Sequence, residues 1–229
     1  MRLEPLGDIA VVATLGDKID TGTLGLVLAF ADAVAAARAK GITDIVPAYA
    51  SVTVFYDSLA LSEAPGGAYE GVCRLLESCA LKAKAAPASL GARTVEVPVC
   101  YGEDYGPDIE QVAEHCRIGA EEVVALHSGA DYLVHAIGFT PGFPYLGGLP
   151  EALRTPRKDT PRARVPAGSV AIGNSQTGVY PMASPGGWQI IGRTPMQLFR
   201  PHGEPASLLR PGDRVRFKPI SPGDFELWR

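Results

Sequence analysis

No Gly-Lys dipeptide occurs in the 229 residues, so the chain carries no P-loop for nucleotide phosphates. It also lacks a GxSxG elbow, a HExxH helix, a GxGxxG after a strand and a Met-Lys-Met tripeptide. Those absences remove the familiar signatures of serine-hydrolase, zinc-protease, dinucleotide and biotin-attachment chemistry. Cysteine is scarce. Cys73, Cys79, Cys100 and Cys116 contain no CxxC pair, and His115, His127, His135 and His202 stand at no zinc-finger spacing. Neither a disulfide framework nor a metal site is expected, and structural roles are the default for all eight. Long apolar runs are missing too: Leu24–Ala37 is interrupted by Asp32 and too short to span a bilayer. The opening MRLEPLGDIAVV holds Glu4 and Asp8 where a signal peptide would be basic, so the expected location is the cytoplasm, away from any membrane.

What is present is an ordinary globular composition, 46% hydrophobic and 20% charged, enough for one large domain or two small ones. Glycine and proline crowd the stretch from Gly138 to Thr194. Such a stretch turns repeatedly and holds no long helix, so Ser169–Ile172, Val179–Tyr180 and Gln189–Ile191 read as brief strands in a closed or strongly bent β structure. Charge is divided unevenly: Pro150–Arg229 carries twelve basic and six acidic residues, whereas the remainder is strongly acidic. That split points to a small anionic substrate or an acidic partner near the C-terminal part. Nucleic acid fits poorly, because the basic residues alternate with turns and not with sheet aromatics.

Taken in order, Gly7–Leu15 reads as a strand, and a helix capped by Asp20, Thr21 or Thr23 runs on until Lys40-Gly41. Ile42–Ala48 and Ser51–Tyr56 read as adjacent strands, and Ala68–Lys84 as an amphipathic helix. Together they predict a small α+β layer. Ala85–Gly91 has no periodic apolar face, which puts a boundary near residue 88, with one domain over 1–88 and another over 89–229. Beyond it Arg93–Cys100 alternates as a strand, and short helices follow through His115 and over Gly119–His127. Strands are then expected at Tyr132–Ile137, Met196–Phe199 and Val215–Pro219.

Within the Gly/Pro-rich stretch, Arg157, Lys158, Arg162, Arg164 and Arg193 lie beside backbone with little steric cover, an arrangement suited to a carboxylate or phosphate. The competing reading makes them solvated rim residues. Phe139, Phe143 and Tyr145 wall a pocket, form the hydrophobic heart of a partner interface or plug the end of a barrel, Trp188 behind its loop is similar, and Gln176 and Tyr180 offer fixed polar groups nearby. Ser184-Pro185-Gly186-Gly187 is no nucleophile elbow, since no histidine is close in sequence to activate the serine. A cleft is expected in which Phe139, Thr140, Pro141, Gly142, Phe143 and Tyr145 face Gln176, Tyr180 and Ser184–Trp188. Arg157, Arg162 and Arg193 would stand at its rim, because a barrel brings loop ends together. No catalytic residue is assigned.

The blocks VEVPVCYGEDYGPDIEQVA, AIGFTPGFPYLGGLP, TPRKDTPRARVPAGSVAIG, QTGVYPMASPGGWQIIGRTP and PGDRVRF, in order from Val95 to Phe217, resemble the allophanate hydrolase subunit 1 family. The resemblance implies an α+β protein, with a small N-terminal α+β sandwich followed by a cyclophilin-like β-barrel. It also implies the B subunit of an ATP-dependent 5-oxoprolinase, which opens 5-oxoproline to glutamate. The partners implied are the other half of a carboxyltransferase domain, similar to the C subunit of that enzyme, and a third subunit, with ATP bound with or by them. Two alternatives come with the family: an inhibitor that binds a sensor histidine kinase, and an allophanate- or urea-type carboxyltransferase component.

Overall fold

A computed structural model describes residues 1–83 and 90–228. The chain divides into two compact units, Met1–Leu90 and Gly91–Arg229. The boundary expected near residue 88 lies outside the described residues.

In the first unit, β1 (Arg2–Pro5), β2 (Ala10–Thr14), β4 (Ser51–Tyr56) and β3 (Ile42–Ala48) form an antiparallel sheet in that spatial order. β4 follows its period-two pattern, burying Val52, Val54 and Tyr56 on one face. Val11 and Ala13 of β2 share that core with Val27, Phe30 and Val34 of α1 (Thr21–Ala37) and Val72, Leu76 and Cys79 of α2 (Ala68–Ala83). Asp20 is the N-cap of α1, its carboxylate accepting the Thr23 N–H at 2.7 Å. The helix stops earlier than Lys40-Gly41, because Arg38 turns left-handed (φ 44°) and donates its N–H to Ala35 O. β1 has no apolar alternation, which is why it is not legible in sequence.

The second unit is a closed barrel of seven strands. β6 (Tyr132–Ile137), β13 (Arg214–Pro219), β5 (Thr94–Tyr101), β12 (Gln189–Arg193), β9 (Ser169–Gly173), β10 (Gln176–Val179) and β7 (Pro144–Gly147) follow one another, and β7 pairs back to β6. Only β13–β5 is parallel, so the barrel is mixed. Every strand contributes to the interior, including Val97, Val134, Leu146, Val170, Ile172, Val179, Ile191 and Phe217, and α3 (Ile109–Cys116) and α4 (Ala120–Gly129) add Val112 and Val123. A short ribbon of β8 (Arg162–Val165) and β11 (Ser184–Gly186) forms a second sheet, and α5 (Pro222–Leu227) follows the last strand. The strand expected over Met196–Phe199 does not form. Pro195 and Pro201 flank it, and Phe199 makes only an isolated bridge to Ser207. Among the described residues no helix is long and apolar enough to cross a membrane, and all four cysteines are free thiols.

β9 is buried along its whole length because both of its faces are covered. Val170 and Ile172 point into the barrel, whereas Ala171, with Ile190 of β12, points to the opposite face and joins Phe143, Val165, Tyr180 and Trp188 in a separate apolar cluster. Strand alternation therefore assigns the aromatic residues to the outside of the barrel wall.

Inside the barrel, fully buried His127 of α4 is fixed by two hydroxyls. Thr177 Oγ1 donates to Ala171 O (2.9 Å), so it accepts from His127 Nε2–H (2.9 Å), and Nδ1 then accepts the Tyr101 hydroxyl (2.8 Å). The ring also stacks on Phe217 at 4.6 Å. Burial depresses its pKa from 6.5 to about 3. The unfolded chain thus takes up a proton below pH 6.5 that the folded one refuses, and stability present above that pH is lost progressively on acidification towards 3. Urea unfolding between pH 7 and 4.5 is expected to show a decline approaching 1.4 kcal/mol per pH unit. His127→Gln should flatten it, and an unchanged slope in that variant would assign the effect to other groups.

Candidate functional site

The outer cluster is built ring against ring. Phe143 meets Tyr145, Tyr180 and Trp188 edge-on at centroid distances of 5.0, 5.1 and 5.5 Å, and Tyr145 meets Trp188 at 6.0 Å. Phe139 reaches Phe143 at 5.7 Å and Tyr180 at 6.4 Å while remaining 62% exposed. Glycines make the packing feasible: a Cβ on Gly173 would lie 2.6 Å from the Trp188 ring, and one on Gly178 2.9 Å from Phe143. The ribbon covers the cluster from the other side. Gly186 rests on Tyr180, whose hydroxyl would lie 2.4 Å from a Cβ there. Burial raises the Tyr180 pKa, so the hydroxyl keeps its proton.

Beside the cluster is a buried charge centre. Asp108, 3% exposed, precedes α3 and accepts Arg162 Nη2 (2.6 Å), Lys158 Nζ (2.9 Å) and the Ile190 N–H (2.7 Å). Burial alone would raise its pKa, but the Arg162 hydrogen bond, the Ile190 N–H and Lys158 outweigh it and hold the carboxyl below its usual range. Lys158 Nζ also donates to Gln111 and Gln189, so its three protons are all engaged. Asp108 is the residue that sequence reasoning missed. Its one visible feature, a place ahead of a helix, is shared by any capping aspartate.

Most of the expected site residues come together. Phe139, Phe143, Tyr145, Tyr180 and Trp188 form the cluster, Arg157 lies over the Trp188 ring at 5.6 Å, and Arg162 sits opposite Gly186 in the ribbon. Ser184 pairs with Val165, which places it on the ribbon beside the same cluster. Gly187 O accepts the Lys158 N–H (2.7 Å), fixing the 184–188 loop to the basic segment, with Pro185 exposed between them. Thr140, Pro141 and Gly142 form the turn that carries Phe139, Gly142 (φ 83°) packing against Phe199. Gln176 opens β10 opposite Gly173, against which the Trp188 ring packs. Arg193 stands apart. Its Nε donates to Ala167 O at 2.8 Å and its guanidinium covers Phe225 of α5 at 5.9 Å. The gathering is on the barrel wall and not at a mouth where loop ends meet, because side chains of alternate strand residues leave the barrel outward.

The arrangement is a buried aromatic cluster with one exposed ring, Phe139, beside a charge centre. It shows no nucleophile paired with a base: Ser184 Oγ is buried and makes no hydrogen bond. No group of histidine, cysteine and carboxylate side chains suited to a metal occurs among the described residues.

Residues 1–209 match the family model described as carboxyltransferase domain, subdomain C and D. The chain is 42% identical over 232 residues to the 5-oxoprolinase B subunit of Bacillus subtilis (strain 168), an alignment covering 100% of this chain and 96% of that protein. Among solved structures, TTHA0988 is similar with a TM-score of 0.78 and 40% identity, over 93% of this chain and 40% of that one. The Kluyveromyces lactis urea carboxylase shares the fold, with a TM-score of 0.77 at 18% identity, over 98% of this chain and 22% of that one. The chain thus spans less than half of either solved relative.

Proposed function

The chain belongs to the family of carboxyltransferase-domain subdomains C and D, the allophanate hydrolase subunit 1 family, and on that premise we propose that it is the B subunit of an ATP-dependent 5-oxoprolinase. In this reading it opens the lactam of 5-oxoproline to glutamate only as part of a hetero-oligomer in the cytoplasm. Its partners are the other half of the carboxyltransferase domain and a third subunit. The barrel is of the cyclophilin-like type, and the first unit is the α+β sandwich that accompanies it. The observation that carries the proposal is the end-to-end match to the Bacillus subtilis B subunit. The site supports it as a recognition surface, since it supplies rings and donors but no reacting pair.

ATP does not fit the charge centre beside the aromatic cluster. A triphosphate needs several converging donors and positive charges, whereas Lys158 is saturated, Arg162 is half committed to Asp108, and no Gly-Lys loop exists. ATP is therefore assigned to the partner subunits. Phe139, exposed at the edge of the cluster, is a natural contact for the carboxyltransferase partner.

Co-expression with the two partner subunits is expected to give 5-oxoproline-dependent release of ADP and glutamate. Sedimentation of the pair of halves should show one complex, with an interface burying more than about 1,000 Å² in total. Absence of turnover in the reconstituted complex, together with tight binding to a sensor histidine kinase, would replace this reading with that of a regulator.

A further inference from the structure

The ribbon of β8 and β11 is a two-stranded sheet of its own, separate from the barrel ladder, and its register slips between Ser184 and Gly186. Pro161 and Pro166 bound β8 and Pro185 lies inside β11, so three positions lack the N–H that would extend or complete the pairing. Backbone bonds fasten the ribbon at both ends. Lys158 N–H donates to Gly187 O (2.7 Å) at one, and Gly168 N–H to Tyr180 O (2.7 Å) at the other, where Arg193 Nε also holds Ala167 O at 2.8 Å. Between those fastenings side chains hold it down: Val165 enters the aromatic cluster and Arg162 Nη2 reaches Asp108. Closure carries a cost. Arg162 Nη1 and Ser184 Oγ, one on each strand, are buried without a hydrogen bond among the described residues, a penalty that contact with water would remove. The fit is also tight, since a Cβ on Gly186 would lie 2.4 Å from the Tyr180 hydroxyl and 2.8 Å from its ring.

We propose that the ribbon is a strap whose middle, residues 162–165 and 184–186, lifts from the barrel wall as one unit while its fastened ends and the barrel stay in place. Raised, it gives Arg162 Nη1 and Ser184 Oγ to water, frees Arg162 from Asp108 and uncovers Tyr180 and Trp188. Val165 and the Arg162 ion pair favour the shut state, and the two stranded donors favour the raised one. Lifting therefore costs far less than unfolding the barrel, and the raised state is visited under native conditions. Access to the outer aromatic cluster, closed as it stands, is gated by this motion. The motion needs nothing from the oxoprolinase reading and stands or falls without it.

Native-state hydrogen exchange of the full chain is the test, read amide by amide. Arg162 to Val165, Ser184 and Gly186 should exchange together, with little dependence on urea, ahead of Lys158 and Gly168 at the fastenings and of Val170, Ile172 and Ile191 in the barrel. Gly186→Ala drives a methyl into Tyr180 and should speed the strap amides roughly 10- to 100-fold while the barrel amides remain protected. Adding Tyr180→Phe makes room for that methyl and should restore part of the protection. Ser184→Ala removes a stranded hydroxyl, so it should hold the strap shut and slow its exchange about 5-fold, a readout that survives if Gly186→Ala fails to fold. Acrylamide quenching of Trp188, read in a Trp228→Phe background, should rise in Gly186→Ala. The proposal is overturned if the strap amides exchange only with the barrel, if Ser184→Ala leaves their exchange as fast as in the parent, or if Trp188 stays equally shielded in a folded Gly186→Ala variant.

Discussion

Asp108→Asn is expected to lower the stability of the barrel unit by about 3 kcal/mol, a fall of roughly 10 °C in Tm. The carboxylate is almost wholly buried and accepts three donors, two of them cationic. Asparagine presents an NH₂ where an oxygen was, so Lys158 and Arg162 lose their counter-charge inside the wall and one donor faces another. The loss sits at the lower end of the range for breaking a buried ion pair, because Lys158 and Arg162 keep 22% and 28% of their side chains in contact with water. Thermal unfolding followed by circular dichroism measures it, and a double-mutant cycle with Arg162→Met separates the pair from the Ile190 hydrogen bond. Exposed Glu110, next but one in the chain, is the control, with Glu110→Gln changing stability by less than about 0.5 kcal/mol. A cost below about 1 kcal/mol for Asp108→Asn would mean that the charge centre is solvated and of little consequence to the wall. Acid adds a second check: the depressed Asp108 pKa contributes stability present above the ordinary carboxylate range and lost as pH falls through the lowered folded value. That loss begins near the ordinary carboxylate pKa of 3.8, so it overlaps the acid end of the window in which His127 acts.

Trp188→Ala carries the other large effect, about 3–5 kcal/mol, together with loss of whatever the cluster binds. The indole is 5% exposed, packs edge-on against Phe143 and Tyr145, lies over the space where Gly173 has no side chain, and seats Arg157. Removing it leaves a cavity that neighbouring rings, themselves held by Gly178 and the ribbon, fill only in part. Trp188→Phe should recover most of the stability. The reciprocal change, Gly173→Ala, should displace the ring from the opposite side. Trp188 and Trp228 are the only tryptophans, so a shift in the emission maximum of Gly173→Ala reports displacement of the indole directly. Near-parental stability in Trp188→Ala would mean that the barrel wall does not depend on the outer cluster.

Much of this architecture was legible before any fold was known. Period-two alternation marked Ser51–Tyr56 and Val215–Pro219, helical spacing marked the segment from Ala68, and Asp20 announced its helix, because these features depend on neighbours within a few residues. The order and wording of the Gly/Pro-rich blocks carried the family, and the aromatic and basic residues gathered in one place were all named from them. Other matters depended on contacts between residues far apart in the chain. Ser169–Gly173 is apolar throughout, so its pattern did not show that Ala171 faces outward while Val170 and Ile172 face the interior; the closure of β7 onto β6 decided that, and with it moved the rings from the barrel mouth to its wall. Arg162 and Arg193 look alike in sequence, each a cation within the same Gly/Pro-rich stretch. Only the fold, by bringing Asp108 to one and Ala167 O and Phe225 to the other, left a free buried donor on Arg162 and engaged Arg193 elsewhere. Local sequence determines which elements form and what chemistry they carry, whereas the partner of a buried charge is set by which strands meet, and that is a property of the closed barrel as a whole.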